Sequence, residues 1–186
     1  MLHIHPVLHP GREGLGLRAE EELRCYDFLD ALGVSYLRVD HDRADTMEDC
    51  REVEALLGAP ICKNLLLTNR QQTEFYLLLM PGDKPFKTKY LSAQIGSARL
   101  SFAGEEALSR FLGVRPGSAS LLGLLNDREG RVQLLLDEEL LGDGLFACHP
   151  CRNTSTLRMS REALLDVVLP ALGHPPRRVQ LPREPE

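Results

Sequence analysis

Lys63 and Asn64 sit inside the apolar run Ile61-Cys62-Lys63-Asn64-Leu65-Leu66-Leu67. An ammonium among leucines is costly unless it reaches water or meets an anion. Two readings stand: a strand-end lysine extending to solvent, or a cation at a pocket mouth that receives a phosphate or carboxylate. A second group is His149-Pro150-Cys151-Arg152-Asn153-Thr154-Ser155-Thr156. Imidazole, amide and hydroxyl fall within a few residues, a set that can orient a water or a ribose hydroxyl. The same residues also read as a histidine satisfied by a turn carbonyl, with Asn153 and Thr154 as turn formers. A third group is Lys84, Lys87 and Lys89 within Pro81 to Lys89. It is either a solvated loop or a small patch that contacts phosphates.

Cys148 and Cys151 fit a C-x-x-C spacing. A redox pair of that kind starts a helix, whereas here the chain runs into Asn-Thr-Ser-Thr, a turn and a strand. Cys25, Cys50 and Cys62 supply no second paired half for zinc, so no metal site is expected. The chain has no phosphate-binding glycine loop, no dinucleotide fingerprint, no H-E-x-x-H and no G-x-S-x-G elbow. No cofactor is expected.

These residues need elements to position them. The run Ile61 to Leu67, bounded by Pro60 and Thr68-Asn69-Arg70, predicts a buried strand that pairs as a hairpin with Glu74 to Met80. Alternation puts Ile61, Lys63, Leu65 and Leu67 on one face, and Cys62, Asn64 and Leu66 on the other. Helices are predicted over Ala19 to Leu32, stopped by Gly33, and from a Thr46 cap to Leu57, stopped by Gly58. Further helices are expected at Tyr90 to Ile95, from Gly104 to Gly113, at Asp137 to Leu141, and from a Ser160 cap to about Leu169. Strands are expected at Val34 to Val39, Arg99 to Phe102, Leu121 to Leu125, Val132 to Leu136, Leu145 to His149 and Thr154 to Met159. Interleaved helices and hairpins imply an α/β fold: one domain, 17–173, with a mixed central sheet surrounded by helices. Residues 1–16 and 174–186 read as poorly ordered tails.

The totals agree with such a domain. The chain has 186 residues, 43% hydrophobic and 26% charged, and a net charge of −5. That charge carries no global signature of nucleic-acid binding, so an RNA partner would need a local patch. Tryptophan is absent and aromatics are 5% of the chain, which argues against a stacking platform for single-stranded bases. No stretch is suited to span a bilayer or to serve as a signal peptide, so a cytoplasmic protein with reduced thiols is expected.

In order along the chain, four places together resemble the YbaK/ProX family of aminoacyl-tRNA editing domains. They are Asp42-Arg43-Ala44-Asp45-Thr46-Met47-Glu48, then Lys63-Asn64-Leu65, then Arg99-Leu100-Ser101-Phe102-Ala103 with Gly113-Val114-Arg115-Pro116-Gly117-Ser118, and finally His149-Pro150 with Asn153-Thr154-Ser155-Thr156. The resemblance runs from about Glu20 to Leu169. Lys followed by Asn, together with His-Pro-x-x-Asn-Thr, resembles the free-standing alanyl-tRNA(Pro) deacylases. The substrate loop of the family is often Gly-x-x-x-Pro, and here Leu121 stands in the proline's place.

The resemblance implies hydrolysis of the ester that joins a wrongly attached small amino acid to tRNA(Pro), most directly alanine. A second, size-excluding site restores an accuracy that the synthetase pocket cannot reach alone. Lys63 would be central and bind the terminal phosphate or the aminoacyl end. Asn64, His149 and the Asn153-Thr154 pair would shape the pocket and position water. Thr46, Met47, Gly117 and Ser118 would bound the substrate, and Lys84, Lys87 and Lys89 would meet the tRNA. The implied partners are mischarged tRNA(Pro) and prolyl-tRNA synthetase. The competing readings are a silent tRNA- or synthetase-binding module on the same fold, or a deacylase for seryl or cysteinyl esters.

Overall fold

Phe75–Met80 forms a strand with all six residues buried. A continuous apolar run suits an interior strand covered on both faces. In the computed structural model, which describes residues 2–184, this strand is the middle of the larger of two sheets. The strands are β1 (His9–Pro10), β2 (Leu37–Asp40), β3 (Lys63–Asn69), β4 (Phe75–Met80), β5 (Leu100–Phe102), β6 (Val132–Asp137), β7 (Leu145–Cys148), β8 (Ser155–Ser160) and β9 (Arg177–Val179). The five-stranded sheet has the order β5-β3-β4-β6-β9. β3 pairs antiparallel with β4 and β5, while β4–β6 and β6–β9 are parallel. This is the expected mixed sheet, with the expected hairpin at its centre.

A second sheet, β1-β2-β8-β7, is antiparallel throughout. The expected strand at Thr154 to Met159 therefore belongs here, beside the central sheet. The two sheets meet where Cys62 N–H donates to the Ala147 carbonyl at 3.2 Å, one residue before Lys63. The junction thus fixes the start of β3.

The helices are α1 (Glu20–Ala31), α2 (Met47–Leu57), α3 (Thr88–Ile95), α4 (Glu105–Ala107) and α5 (Leu169–Leu172). Wider-wound turns, Leu108–Leu112 after α4 and Ala163–Val168 before α5, extend those two. α2 begins as predicted: Thr46 accepts from Asp49 N–H at 3.1 Å, and Asp49 reaches back to Thr46 N–H. Gly58, at φ 64°, ends it.

The expected strand at Leu121 to Leu125 is a tight helical segment, Leu121–Asn126. A short apolar run does not distinguish strand from buried helical turn. Ser120 decides it by accepting from Leu122 N–H at 3.2 Å. Gly123 allows close approach, since a Cβ there would lie 2.9 Å from Leu112 Cβ.

Of the segments expected as tails, residues 2–16 and 174–184 are placed against the domain; 1, 185 and 186 lie outside the described residues. β1 pairs with β2, and Ile4 bridges to His41. The cause is Arg38, a fully buried guanidinium that donates to the Gly11 and Glu13 carbonyls at 2.7 and 2.9 Å. At the other end, β9 extends the larger sheet and buries Val179. No helix among the described residues is long and apolar enough to cross a membrane.

Candidate active site

Lys63 is the first residue of β3, half-buried beside the junction of the sheets. Its Nζ donates to the Lys84 carbonyl, and among the described residues its ammonium has no carboxylate partner. Burial pulls its pKa below the ordinary lysine value, and the charge of Asp83 partly opposes this. One N–H is thus tied to the protein, and the other two remain for an anion.

Lys84 itself is not a surface cation. It is 1% exposed, and its ammonium lies 2.8 Å from Asp137 Oδ2 and 2.8 Å from Glu139 Oε1. The expected tRNA patch therefore loses Lys84. Its buried ion pair instead anchors the loop whose carbonyl holds Lys63. Gly82 lets that loop lie close, because a Cβ there would fall 2.2 Å from the Ile61 carbonyl oxygen and 2.8 Å from Met47 Cε. Lys87 and Lys89 are exposed, as expected for a patch.

The Asn64 amide is bonded to backbone on both sides. Its Oδ1 accepts from Leu121 N–H at 2.8 Å, and its Nδ2 donates to the Cys62 carbonyl at 3.1 Å. It clamps the 117–121 loop to β3. Leu121 can serve this clamp because, unlike proline, it has an N–H.

His149 follows β7 and is nearly enclosed, 8% exposed. Its Nδ1 lies 2.9 Å from the Ser155 carbonyl and 3.2 Å from Thr156 Oγ1. A carbonyl only accepts, so Nδ1 carries the proton and Nε2 keeps its lone pair. Burial pulls the pKa down to about 4, so the ring is neutral at neutral pH. Behind it, Thr156 Oγ1 is 2.8 Å from His41 Nε2, and His41 Nδ1 donates to the Asp42 carbonyl at 2.6 Å. This histidine–threonine–histidine line fixes the His149 tautomer. Sequence reasoning placed His41 in a polar loop and gave Thr156 no separate role. The signal was the Asn-Thr-Ser-Thr run, whose alternate residue Thr156 points back under the imidazole.

A cavity of about 320 Å³ brings Thr46, Met47, Lys63, Asn64, Gly117 and His149 together. Ala44, Cys50, Ile61, Cys62, Leu65 and Ala119 add apolar wall, and Asp45 completes the lining with a carboxylate that Arg43 and Asn153 hold. Gly117 is needed where it stands, at φ 84° and with Asp45 Oδ1 3.2 Å from where a Cβ would be. Ser118, Asn153 and Thr154 line a neighbouring depression of about 250 Å³ with Arg43, Arg115 and Arg152. Asn153 Nδ2 donates to the Ala44 carbonyl at 3.1 Å and to Asp45 Oδ1 at 2.9 Å. It braces the loop before α2 from behind the cavity wall.

Cys148 and Cys151 are buried. Burial pushes the Cys148 thiol well above its ordinary pKa, and Cys151 Sγ lies 3.5 Å from Cys25 Sγ. Among the described residues no cluster of His, Cys, Asp and Glu could hold a metal ion.

A family model described as the aminoacyl-tRNA editing domain matches residues 41–167. The prolyl-tRNA editing protein ProX of Acetoanaerobium sticklandii is 34% identical over 140 residues, 75% of this chain and 85% of that one. The prolyl-tRNA synthetase associated domain-containing protein 1 of Mus musculus is 33% identical over 168 residues, 88% of this chain and 95% of that one. Among solved structures, one described as a candidate trans-editing enzyme for prolyl tRNA synthetase superposes with a TM-score of 0.64 at 18% identity. The match covers 89% of this chain and 100% of that one.

Proposed function

This chain belongs to the aminoacyl-tRNA editing domain family, and from that premise we propose that it is a trans-editing hydrolase that deacylates mischarged tRNA(Pro), with alanyl-tRNA(Pro) as its substrate. The observation that carries the reading is the cavity where Lys63, with no carboxylate partner among the described residues, and a neutral imidazole share one small, largely apolar chamber. The cavity suits a small side chain: Met47, Cys50 and Ile61 contribute its wall.

The reaction needs an attacking water and stabilisation of the tetrahedral oxyanion. Water adds to the ester carbonyl, the carbon–oxygen bond to the ribose breaks, and a proton passes to the departing ribose oxygen. The Lys63 ammonium, held by the Lys84 carbonyl, offers its remaining N–H groups to the oxyanion or the terminal phosphate. Burial keeps the His149 ring neutral at neutral pH. Its Nε2 lone pair orients the water or the α-ammonium of the aminoacyl group. A vicinal hydroxyl of the substrate ribose helps to activate the water. The site of action is the cytoplasm, where prolyl-tRNA synthetase supplies the mischarged ester.

The test is deacylation of alanyl-, seryl-, cysteinyl- and prolyl-tRNA(Pro) by the purified protein. Rapid loss of alanine with proline retained is the expected result. Hydrolysis of no ester, with tRNA still bound, would make the chain a binding module.

A further inference from the structure

Phe102 ends the edge strand β5 and is 62% exposed. The Phe86 ring stands edge-on to it, with centroids 6.2 Å apart. Lys87, Lys89 and Arg99 are exposed around the same depression, about 660 Å³ in volume. Among the described residues none of the three cations pairs with a carboxylate, and Lys89 Nζ lies 4.7 Å from the Tyr90 ring centroid. On a chain of net charge −5, this cationic patch with an open aromatic surface is a local exception.

The patch and the cavity are linked through β3. Phe102 is directly opposite Leu67 in the β3–β5 ladder, so the two share a sheet face. Lys63, Leu65 and Leu67 alternate onto that face, and Phe86 packs against the cluster that holds Leu67. Lys63 and Leu67 are four residue steps apart along the strand, roughly 13 Å. The loop carrying Phe86 and Lys87 also supplies the carbonyl that holds Lys63.

We propose that this surface binds the single-stranded 3′ end of the tRNA, stacking a base on Phe102 and neutralising phosphates with Lys87, Lys89 and Arg99, and so delivers the terminal ester to Lys63. Bases stack on exposed aromatic rings without regard to sequence, and nearby cations track the backbone. The proposal rests on the editing reading and adds to it the path of the substrate.

The experiment compares two substrates: full-length alanyl-tRNA(Pro) and the alanyl ester of adenosine, which carries no phosphate. Phe102→Ala and Arg99→Glu are assayed on both, with circular dichroism to verify folding. With tRNA, each variant is expected to lose about tenfold or more in kcat/KM, mostly through KM. Arg99→Glu should also flatten the dependence of log kcat/KM on log salt by roughly 0.7 or more. The adenosine ester should be hydrolysed at unchanged rates. Unchanged kcat/KM on tRNA would overturn the proposal and leave the patch to an acidic protein partner. Parallel losses on both substrates would also overturn it, because the variants would then damage the cavity. If wild-type protein hydrolyses neither ester, the editing reading fails, and anisotropy with a labelled tRNA 3′-end oligonucleotide judges the surface. Weaker binding by both variants supports it, and unchanged binding overturns it.

Discussion

Asn64 bonds two segments to each other at the wall of the cavity. Replacing it by alanine leaves the buried Leu121 N–H without its acceptor, a cost of about 1–3 kcal/mol in chemical melts. The freed 117–121 loop should also reduce deacylation, because Gly117 and Ala119 line the cavity. Leu121→Pro should reproduce the loss by removing the same N–H. His149 leads to a prediction about pH. Its native pKa, about 4, lies below the unperturbed imidazole value, so the unfolded chain binds the extra proton first. The stability it contributes is complete above about pH 6.5 and is lost as pH falls toward 4, on the order of 3 kcal/mol. Melts of wild type and His149→Gln should therefore converge in acid. The wild-type rate should hold its plateau down to about pH 5 and fall as Nε2 is protonated. The resemblance grouped Lys63, Asn64 and His149, and all three line one cavity. It could not show that Asn64 also clamps the 117–121 loop or how His149 is held, because both depend on partners such as Leu121 and Ser155.

The loop between β4 and α3 is held by one buried ion pair, Lys84 with Asp137. Lys84→Met strands a buried carboxylate and should cost about 3–5 kcal/mol in urea melts. Adding Asp137→Leu should recover much of that stability, which a simple loss of packing would not allow. The single variant should also slow deacylation, since the Lys84 carbonyl positions Lys63. From sequence, Lys84 read as part of a surface run with Lys87 and Lys89, because its partner lies 53 residues away. Local signals were legible where the chemistry is local. The Thr46 cap, the Gly58 stop and the hairpin of β3 with β4 were all readable for that reason. Leu121–Asn126 was misassigned because four leucines in a short run carry no period, and Ser120 settles the outcome through one hydroxyl.

Across the whole molecule, two sheets join one residue before Lys63, and the terminal segments close around them. Residues 1–16 looked tail-like because His, Pro and Gly show no periodicity, yet the buried guanidinium of Arg38 needs their carbonyls. The cavity wall predicts selectivity by exclusion. Forcing a larger side chain against Met47 and Ile61 should cost roughly 1–3 kcal/mol, so Met47→Ala should raise hydrolysis of prolyl-tRNA(Pro) relative to alanyl-tRNA(Pro). Changing Cys148 and Cys151 to serine should leave activity within a few-fold, because neither thiol lines the cavity. The central claim is that Lys63 makes this cavity a hydrolytic site. Its most direct test is single-turnover deacylation of alanyl-tRNA(Pro) by wild type and Lys63→Ala, with circular dichroism melts alongside. The account predicts a loss of about a hundredfold or more, the scale of removing one preorganised charge donor. The fold should stay intact, because removing a half-buried ammonium relieves a desolvation cost. A near-native rate from a folded Lys63→Ala protein would contradict it.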